Sequence, residues 1–278
     1  MSAASAPLLG LVSATSWGAG DFCGGVASKR SPLLGVLVIA YGVGAAAMAA
    51  AALLRGEPAP GGAALGWAVA AALAGTVGLA ALYRGLAVGR MAVVAPVSAV
   101  LSAAIPVAWG ALAQGPPPMS KLAGIALALA GIWLVARAGA RGADREGLLL
   151  ALVAGCGFGG FLLLMSIGAQ GGTFWLLATA RVTSLALVLA AALARRRAWV
   201  PASGAVPLVA LSGLLDAGGN AFFVLATQAG RLDVAAVLSS MYPASTMLLA
   251  AAVLRERVTR PQAVGVAALL AAIALIAG

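Results

Sequence analysis

The sequence predicts an all-α, polytopic membrane protein of ten transmembrane helices built from two inverted five-helix repeats. Three observations carry this expectation. First, 63% of the 278 residues are hydrophobic and 9% are charged, whereas a water-soluble domain has about a quarter of its residues charged. Second, the chain divides into ten apolar runs, each close to the about 20 residues needed to cross a hydrocarbon layer roughly 30 Å thick. Third, two stretches 141 residues apart resemble each other in register: Gly89-Arg90 and Gly230-Arg231, Val93 and Val234, Ala95 and Ala236, Ser98 and Ser239, Gly124 and Gly265, with Trp17-Gly18 opposite Phe158-Gly159 at the same offset.

The runs follow in order. The first, 7–26, comes after Met1 to Ala6, which holds no Lys or Arg; that argues against a cleaved signal peptide and for a retained helix. Lys29-Arg30-Ser31-Pro32 separates it from 33–54, and Arg55-Gly56-Glu57-Pro58 separates that run from 64–84. The fourth run, 91–112, ends before Gly115-Pro116-Pro117-Pro118, and the fifth covers 121–137. Arg141-Gly142-Ala143-Asp144-Arg145 is the natural boundary between halves, 1–140 and 141–278. The second half holds 147–167, 173–194, 204–228, 232–254 and 261–277, with Arg195-Arg196-Arg197 after the seventh run. An odd number of spans per half brings the second half in from the opposite side, so the repeats are expected to be inverted. A membrane β-barrel is excluded, because its strands alternate in polarity every second residue over about ten. The loops are short, so function must reside in the bundle.

The formal charge is +10, from 17 Lys and Arg against 7 Asp and Glu. The basic residues lie between the apolar runs, which suits lipid headgroups and argues against nucleic acid as a partner. Loops 1–2, 3–4, 5–6, 7–8 and 9–10 hold 13 of them when Arg137 and Arg255 are included, against Arg55, Lys121 and Arg231 on the other side. The positive-inside rule therefore places both termini outside the cytoplasm. The chain has no His, and its two cysteines, Cys23 and Cys156, sit inside apolar runs and read as free buried thiols. Neither a metal nor a cofactor is expected, and without a positioned nucleophile–base pair an enzyme is not expected either. Any proton coupling must use carboxylates. Gly155, Gly157, Gly159 and Gly160 form a small-residue surface suited to close helix approach or to a thin cavity wall.

Charge within a span costs roughly 2.5–3.5 kcal/mol at mid-helix, so such residues face a cavity or a partner. Arg181 lies near the middle of span 7. It either coordinates an anionic group of a solute, pairs with Asp216 or Asp21, or snorkels. Asp216 in span 8 and Asp21 in span 1 are the proton-coupling candidates, since desolvation favours the neutral carboxyl. Asn220 follows Asp216 by one turn on the same face. The resulting scheme has Asp216 and Asn220 at the amino end of a zwitterion and Arg181 at its carboxyl end. Trp17 shares a face with Asp21 and, with Tyr242, supplies aromatic wall. Pro243 in span 9 is expected to break its helix near Ser239 and Ser240, leaving carbonyl and hydroxyl groups to line the site, and Pro96 and Pro106 to do the same in span 4, beside Ser98 and Ser102. Arg84, Arg90 and Arg231 read as anchors at helix ends.

Trp17-Gly18 followed by Phe22, the Pro-containing stretch Val234 to Pro243, Leu254-Arg255-Glu256-Arg257-Val258, and Gln262 with Gly265 together resemble the drug/metabolite transporter superfamily, specifically its EamA-type members with ten helices in two five-helix repeats. The resemblance covers nearly the whole chain. It departs in the first half, where Gly115 stands opposite Glu256, so a cap or a salt bridge with Arg257 or Arg260 is the modest role left to that glutamate. The resemblance implies a secondary transporter, an exporter of a small polar or zwitterionic metabolite such as an amino acid, working by alternating access around a midplane cavity. The alternatives are a lipid or lipid-linked metabolite translocator or scramblase, and a multidrug efflux carrier. It also implies a bacterial-type inner membrane, membrane lipids and a small solute as partners, a monomer or weak homodimer, and cytoplasmic termini, which opposes the loop charges.

Overall fold

The computed structural model describes residues 5–28, 31–88, 91–136, 145–169, 172–194, 203–255 and 258–277. Among them lie eleven α-helices: α1 (Ser5–Ser28), α2 (Leu33–Leu54), α3 (Gly62–Val88), α4 (Met91–Gln114), α5 (Met119–Ala136), α6 (Arg145–Gly168), α7 (Phe174–Ala194), α8 (Val206–Ala229), α9 (Leu232–Ser239), α10 (Tyr242–Leu254) and α11 (Arg260–Ala277). Seven stretches are long and apolar enough to cross a membrane: α2, most of α3, most of α4, α6, α7, α8, and α9 with α10 taken together. Met119–Leu134 and Arg260–Ile273 are shorter apolar helices. The first helix falls outside that set, because Ser13, Thr15, Ser16 and Asp21 interrupt its apolar sequence; Ser13, Ser16 and Asp21 are used inside the bundle, whereas the exposed Thr15 bonds the carbonyls of Leu11 and Val12 in its own helix.

Local chemistry sets the helix ends. Pro32 precedes α2 in an extended conformation and its carbonyl accepts the amides of Gly35 and Val36. After α4 the chain turns at Gly115, whose φ of 79° lies in the left-handed region, and the three prolines that follow cannot continue a helix. The expected span 9 is two helices. Pro243 has no amide to offer the Ser239 carbonyl, and the chain turns at Ser240 and Met241 before α10 restarts. By contrast α4 runs without interruption through Pro96 and Pro106, which corrects the expectation of a matching break in the first half. Neighbouring turns of a long apolar helix tolerate such a proline when its freed carbonyl finds another donor.

The two halves interlock reciprocally. The first helix of each half packs against the third of the other, α1 on α8 and α6 on α3, and also against the other half's fourth, α1 on α9 and α10 and α6 on α4. The second helices, α2 and α7, pack together, as do the fifth, α5 and α11. The chemistry at the equivalent contacts differs. On α1–α8, Ser13 donates to the Gly219 carbonyl at 2.8 Å, Ser16 to that of Leu215 at 2.6 Å, and Ser212 back to that of Gly20 at 2.8 Å. The equivalent positions are Ala154, Gly157 and Ala71, and there the helices approach through glycine: a Cβ on Gly157 would come within 2.6 Å of the Ala74 carbonyl and of Gly78 Cα. Gly155 and Gly159 likewise abut Leu101 and Ile105 of α4. Cys23 is buried as expected, but Cys156 is exposed on the outer face of α6, because its neighbouring glycines take the helix contact.

Polar ties close the end of the bundle that carries the first residues of α1. The carboxylate of Glu57, between α2 and α3, accepts the amide of Phe174 at 3.0 and 3.1 Å and that of Trp175 at 3.4 Å, so it caps the N-terminus of α7. The Trp175 indole donates to the Glu57 carbonyl at 3.0 Å, and the Arg55 guanidinium lies over the Phe174 ring. Arg231 bonds Asp233 and the carbonyls of Gln114 and Gly115, joining the start of α9 to the end of α4. At the opposite end Arg84 pairs with Glu146 at 3.1 Å. Arg90, Glu256 and Arg257 lie outside the described residues. Glu57→Ala is expected to lower the stability of the detergent-solubilised protein by about 1–2 kcal/mol, and Glu57→Gln by less because the amide oxygen still accepts. An unchanged unfolding midpoint for Glu57→Ala would show that this cap contributes nothing.

Candidate functional site

Between the halves lies a cavity of about 820 Å³. It runs from the middle of the bundle to one end, reaching Ser28 at the close of α1, Leu33 at the start of α2 and Leu82 near the close of α3. Towards the other end its lining stops at Trp17, Tyr41 and Asn220, midway along their helices, and at Leu177 in the first turn of α7. Beyond these, Ala68, Ala72, Leu176, Phe223, Val224, Ala235 and Ala236 pack into a solid apolar core. The open end is the one carrying the predominantly basic loops.

Six of the seven expected solute-contact residues line this cavity: Trp17, Asp21, Arg181, Asp216, Asn220 and Tyr242. Ser239 is the exception. Its hydroxyl is fully buried and faces α1, with the Gly10 carbonyl 3.4 Å away, and Ser240 stands on the wall in its place. Successive residues at the end of a helix point about 100° apart, so the two serines face different sides.

The charged groups have a definite order. Arg181 Nη1 is ion-paired with Asp216 Oδ2, and the guanidinium carbon lies 5.5 Å from the centre of the Tyr41 ring. The arginine side chain is 6% exposed and that of Asp216 is 40% exposed, so the carboxylate faces the cavity and the cation lies behind it. Nη2 is buried and has no hydrogen-bond partner among the described residues. Of the roles open to Arg181 from sequence, the structure shows the ion pair with Asp216. Asp21, exposed to the cavity, lies within electrostatic range of Asp216 and Tyr242. Trp17 and Tyr242 meet edge to face with centroids 6.1 Å apart, and Trp17 also lies 6.0 Å from Phe223. The Trp17 ring fits there because Gly219 has no side chain in its path.

Tyr41, Phe158, Phe161, Ser184 and Ser212 also line the cavity and were not among the expected contacts. The 141-residue offset held a signal for several. Phe158 is the counterpart of Trp17, Phe161 of Gly20, and Ala40, beside Tyr41, of Arg181. Each of the pairs Trp17/Phe158, Gly20/Phe161, Asp21/Leu162, Val36/Leu177, Ala40/Arg181, Gly75/Asp216 and Leu79/Asn220 contributes both members to the wall.

The model of the EamA-like transporter family matches the chain twice, over residues 4–137 and 145–278. The chain belongs to the EamA-like transporter family. It is thus an integral, multi-pass membrane protein of a transporter family, made of two tandem EamA units. No curated protein matches the sequence. Among solved structures, one crystal structure shares 20% identity with a TM-score of 0.78, covering 98% of this EamA chain and 96% of its own; at that identity it shows a common fold alone.

The buried guanidinium makes the ion pair directly testable. Asp216→Ala leaves Arg181 without its counter-charge and is expected to destabilise the EamA protein by roughly 1–3 kcal/mol. Adding Arg181→Met should recover part of that loss. Strictly additive effects in the double variant would show that the two residues are not coupled.

Proposed function

We propose that this EamA protein is a secondary transporter that exports a small zwitterionic metabolite, such as an amino acid, by alternating access around the cavity between its repeats. One observation carries the reading: a cavity walled by both halves reaches one end of the bundle and stops at a packed core before the other. That is the form of a carrier loaded from one side, whereas a pore needs a continuous path. Ten crossings and inverted repeats fit the reciprocal packing of α1 on α8 and α6 on α3, with the halves at 1–140 and 141–278. By the charge of the loops the open end faces the cytoplasm, which supports loading from inside and export across the inner membrane. The cavity is complete within one chain, in keeping with a monomer or weak homodimer.

In the binding scheme the solute's carboxylate reaches Arg181, either at the unpartnered Nη2 or by displacing Asp216, and satisfying that buried donor stabilises the complex by about 1–3 kcal/mol. Its ammonium lies between Asp21 and the released face of Asp216, with Asn220 as a further acceptor and the Trp17 and Tyr242 rings beside it. Asp21 and Asp216 are the carboxylates available to exchange a proton with the solute. Pro243 lies at the interruption between α9 and α10, where Ser240 lines the cavity, and is the candidate gating break.

In proteoliposomes, labelled solute uptake should accelerate when unlabelled solute is preloaded; equal uptake with and without preloading would identify a pore. Arg181→Ala should abolish binding of carboxylate-bearing solutes, and retention of wild-type affinity would remove Arg181 from the site. Asp216→Asn should abolish the response of transport to an imposed pH gradient, whereas a wild-type response would exclude Asp216 as the proton carrier.

A further inference from the structure

The two long walls of the cavity occupy repeat-equivalent positions and carry opposite chemistry. Among the described residues, α3 and α6 contribute Gly75, Leu79, Leu82, Phe158, Phe161 and Leu162, with no polar side chain. Their counterparts on α8 and α1 include Asp216, Asn220, Trp17 and Asp21. The exchange is steric as well as electrostatic. Gly20 packs against the α8 backbone at Asp216, where a Cβ would lie 3.2 Å from its amide. At the equivalent contact the sizes are reversed: Phe161 replaces Gly20, Gly75 replaces Asp216, and a Cβ on Gly75 would lie 3.2 Å from the Phe161 ring. A glycine in each pair allows the close approach: Gly20 to the α8 backbone that carries Asp216, and Gly75 to the Phe161 ring.

We propose that the cavity selects an amphipathic zwitterion with a bulky apolar body, and that Phe161 and Leu162 determine that selectivity. The head lies on the α1/α7/α8 wall, where Arg181 retains its unpartnered buried donor, and the body lies on the α3/α6 wall. A small hydrophilic zwitterion would satisfy the first wall and leave the second facing water, forfeiting the burial of an apolar side chain. A volume of about 820 Å³ accommodates more than a head group alone. The inference rests on the carrier reading for its transport consequence and on the walls for its binding consequence.

The experiment measures thermal-shift binding and counterflow with phenylalanine, leucine, alanine and glycine, together with phenethylamine and 3-phenylpropionate, which each lack one charge of the head. Phenylalanine is expected to bind more tightly than alanine by at least about tenfold, and both single-charge analogues to bind more weakly than phenylalanine. Phe161→Ala should reduce the phenylalanine-to-alanine ratio several-fold and Phe161→Leu should largely restore it; if Phe161→Ala does not fold, Leu162→Ser should reduce the same ratio. Counterflow with alanine equal to or better than phenylalanine overturns the inference and leaves the carrier reading standing. Phenylalanine binding without counterflow overturns the carrier reading and leaves the selectivity standing. Absence of both, or a ratio unmoved in a folded wall variant, overturns the assignment.

Discussion

The structure depends on the reciprocal packing of the first helix of each half against the third helix of the other. In hydrocarbon no hydrophobic drive separates helix–helix from helix–lipid contact, so association relies on close van der Waals fit and on interhelical hydrogen bonds. The two halves use these separately. The α1–α8 contact is tied by the hydroxyls of Ser13, Ser16 and Ser212, and the α3–α6 contact brings backbones together at Gly78 and Gly157. Because the most extensive helix contacts of each half are made with the other, the cavity lies where the two sets of walls face.

That arrangement explains why charge is tolerated within the bundle. Arg181 is buried behind Asp216 and over Tyr41 rather than exposed to lipid, and Asp21 opens on the cavity instead of the outer surface. The first helix is the least apolar of the long helices for the same reason: its polar residues supply hydroxyls to α8 and a carboxylate to the cavity. At the closed end, Glu57 and Arg231 each connect residues from different halves. Opening that end requires both the apolar core around Phe223 and these ties to separate.

Much of this was legible in the sequence, since long apolar runs bounded by Pro, Gly and charge locate helices with little ambiguity. A helix occupies each of the ten expected ranges, and six of the residues singled out for polarity or aromaticity inside those ranges meet at one cavity. Misplacements arose where the outcome hangs on a single turn. Ser239 and Ser240 are equally plausible from sequence, and the packing of α9 against α1 decides which faces the cavity. Pro96 and Pro106 look like Pro243 as residues, yet only Pro243 coincides with a broken helix. Phe161 and Tyr41 are ordinary apolar and aromatic residues of a span until the packing partner of each helix is known.

By itself the sequence determined the solvent, the helical class, the duplication and the family, because these depend on composition, run length and register along the chain. It also located the asymmetry, with Asp21 opposite Leu162 and Asp216 opposite Gly75. Only the tertiary structure decided what that asymmetry builds. Whether Arg181 pairs with Asp216 or Asp21, which carboxylate faces the cavity, and that the apolar counterparts form one continuous wall depend on interhelical distances of a few ångströms. Those distances arise from contacts between residues tens to more than a hundred positions apart, and no local pattern in the chain encodes them.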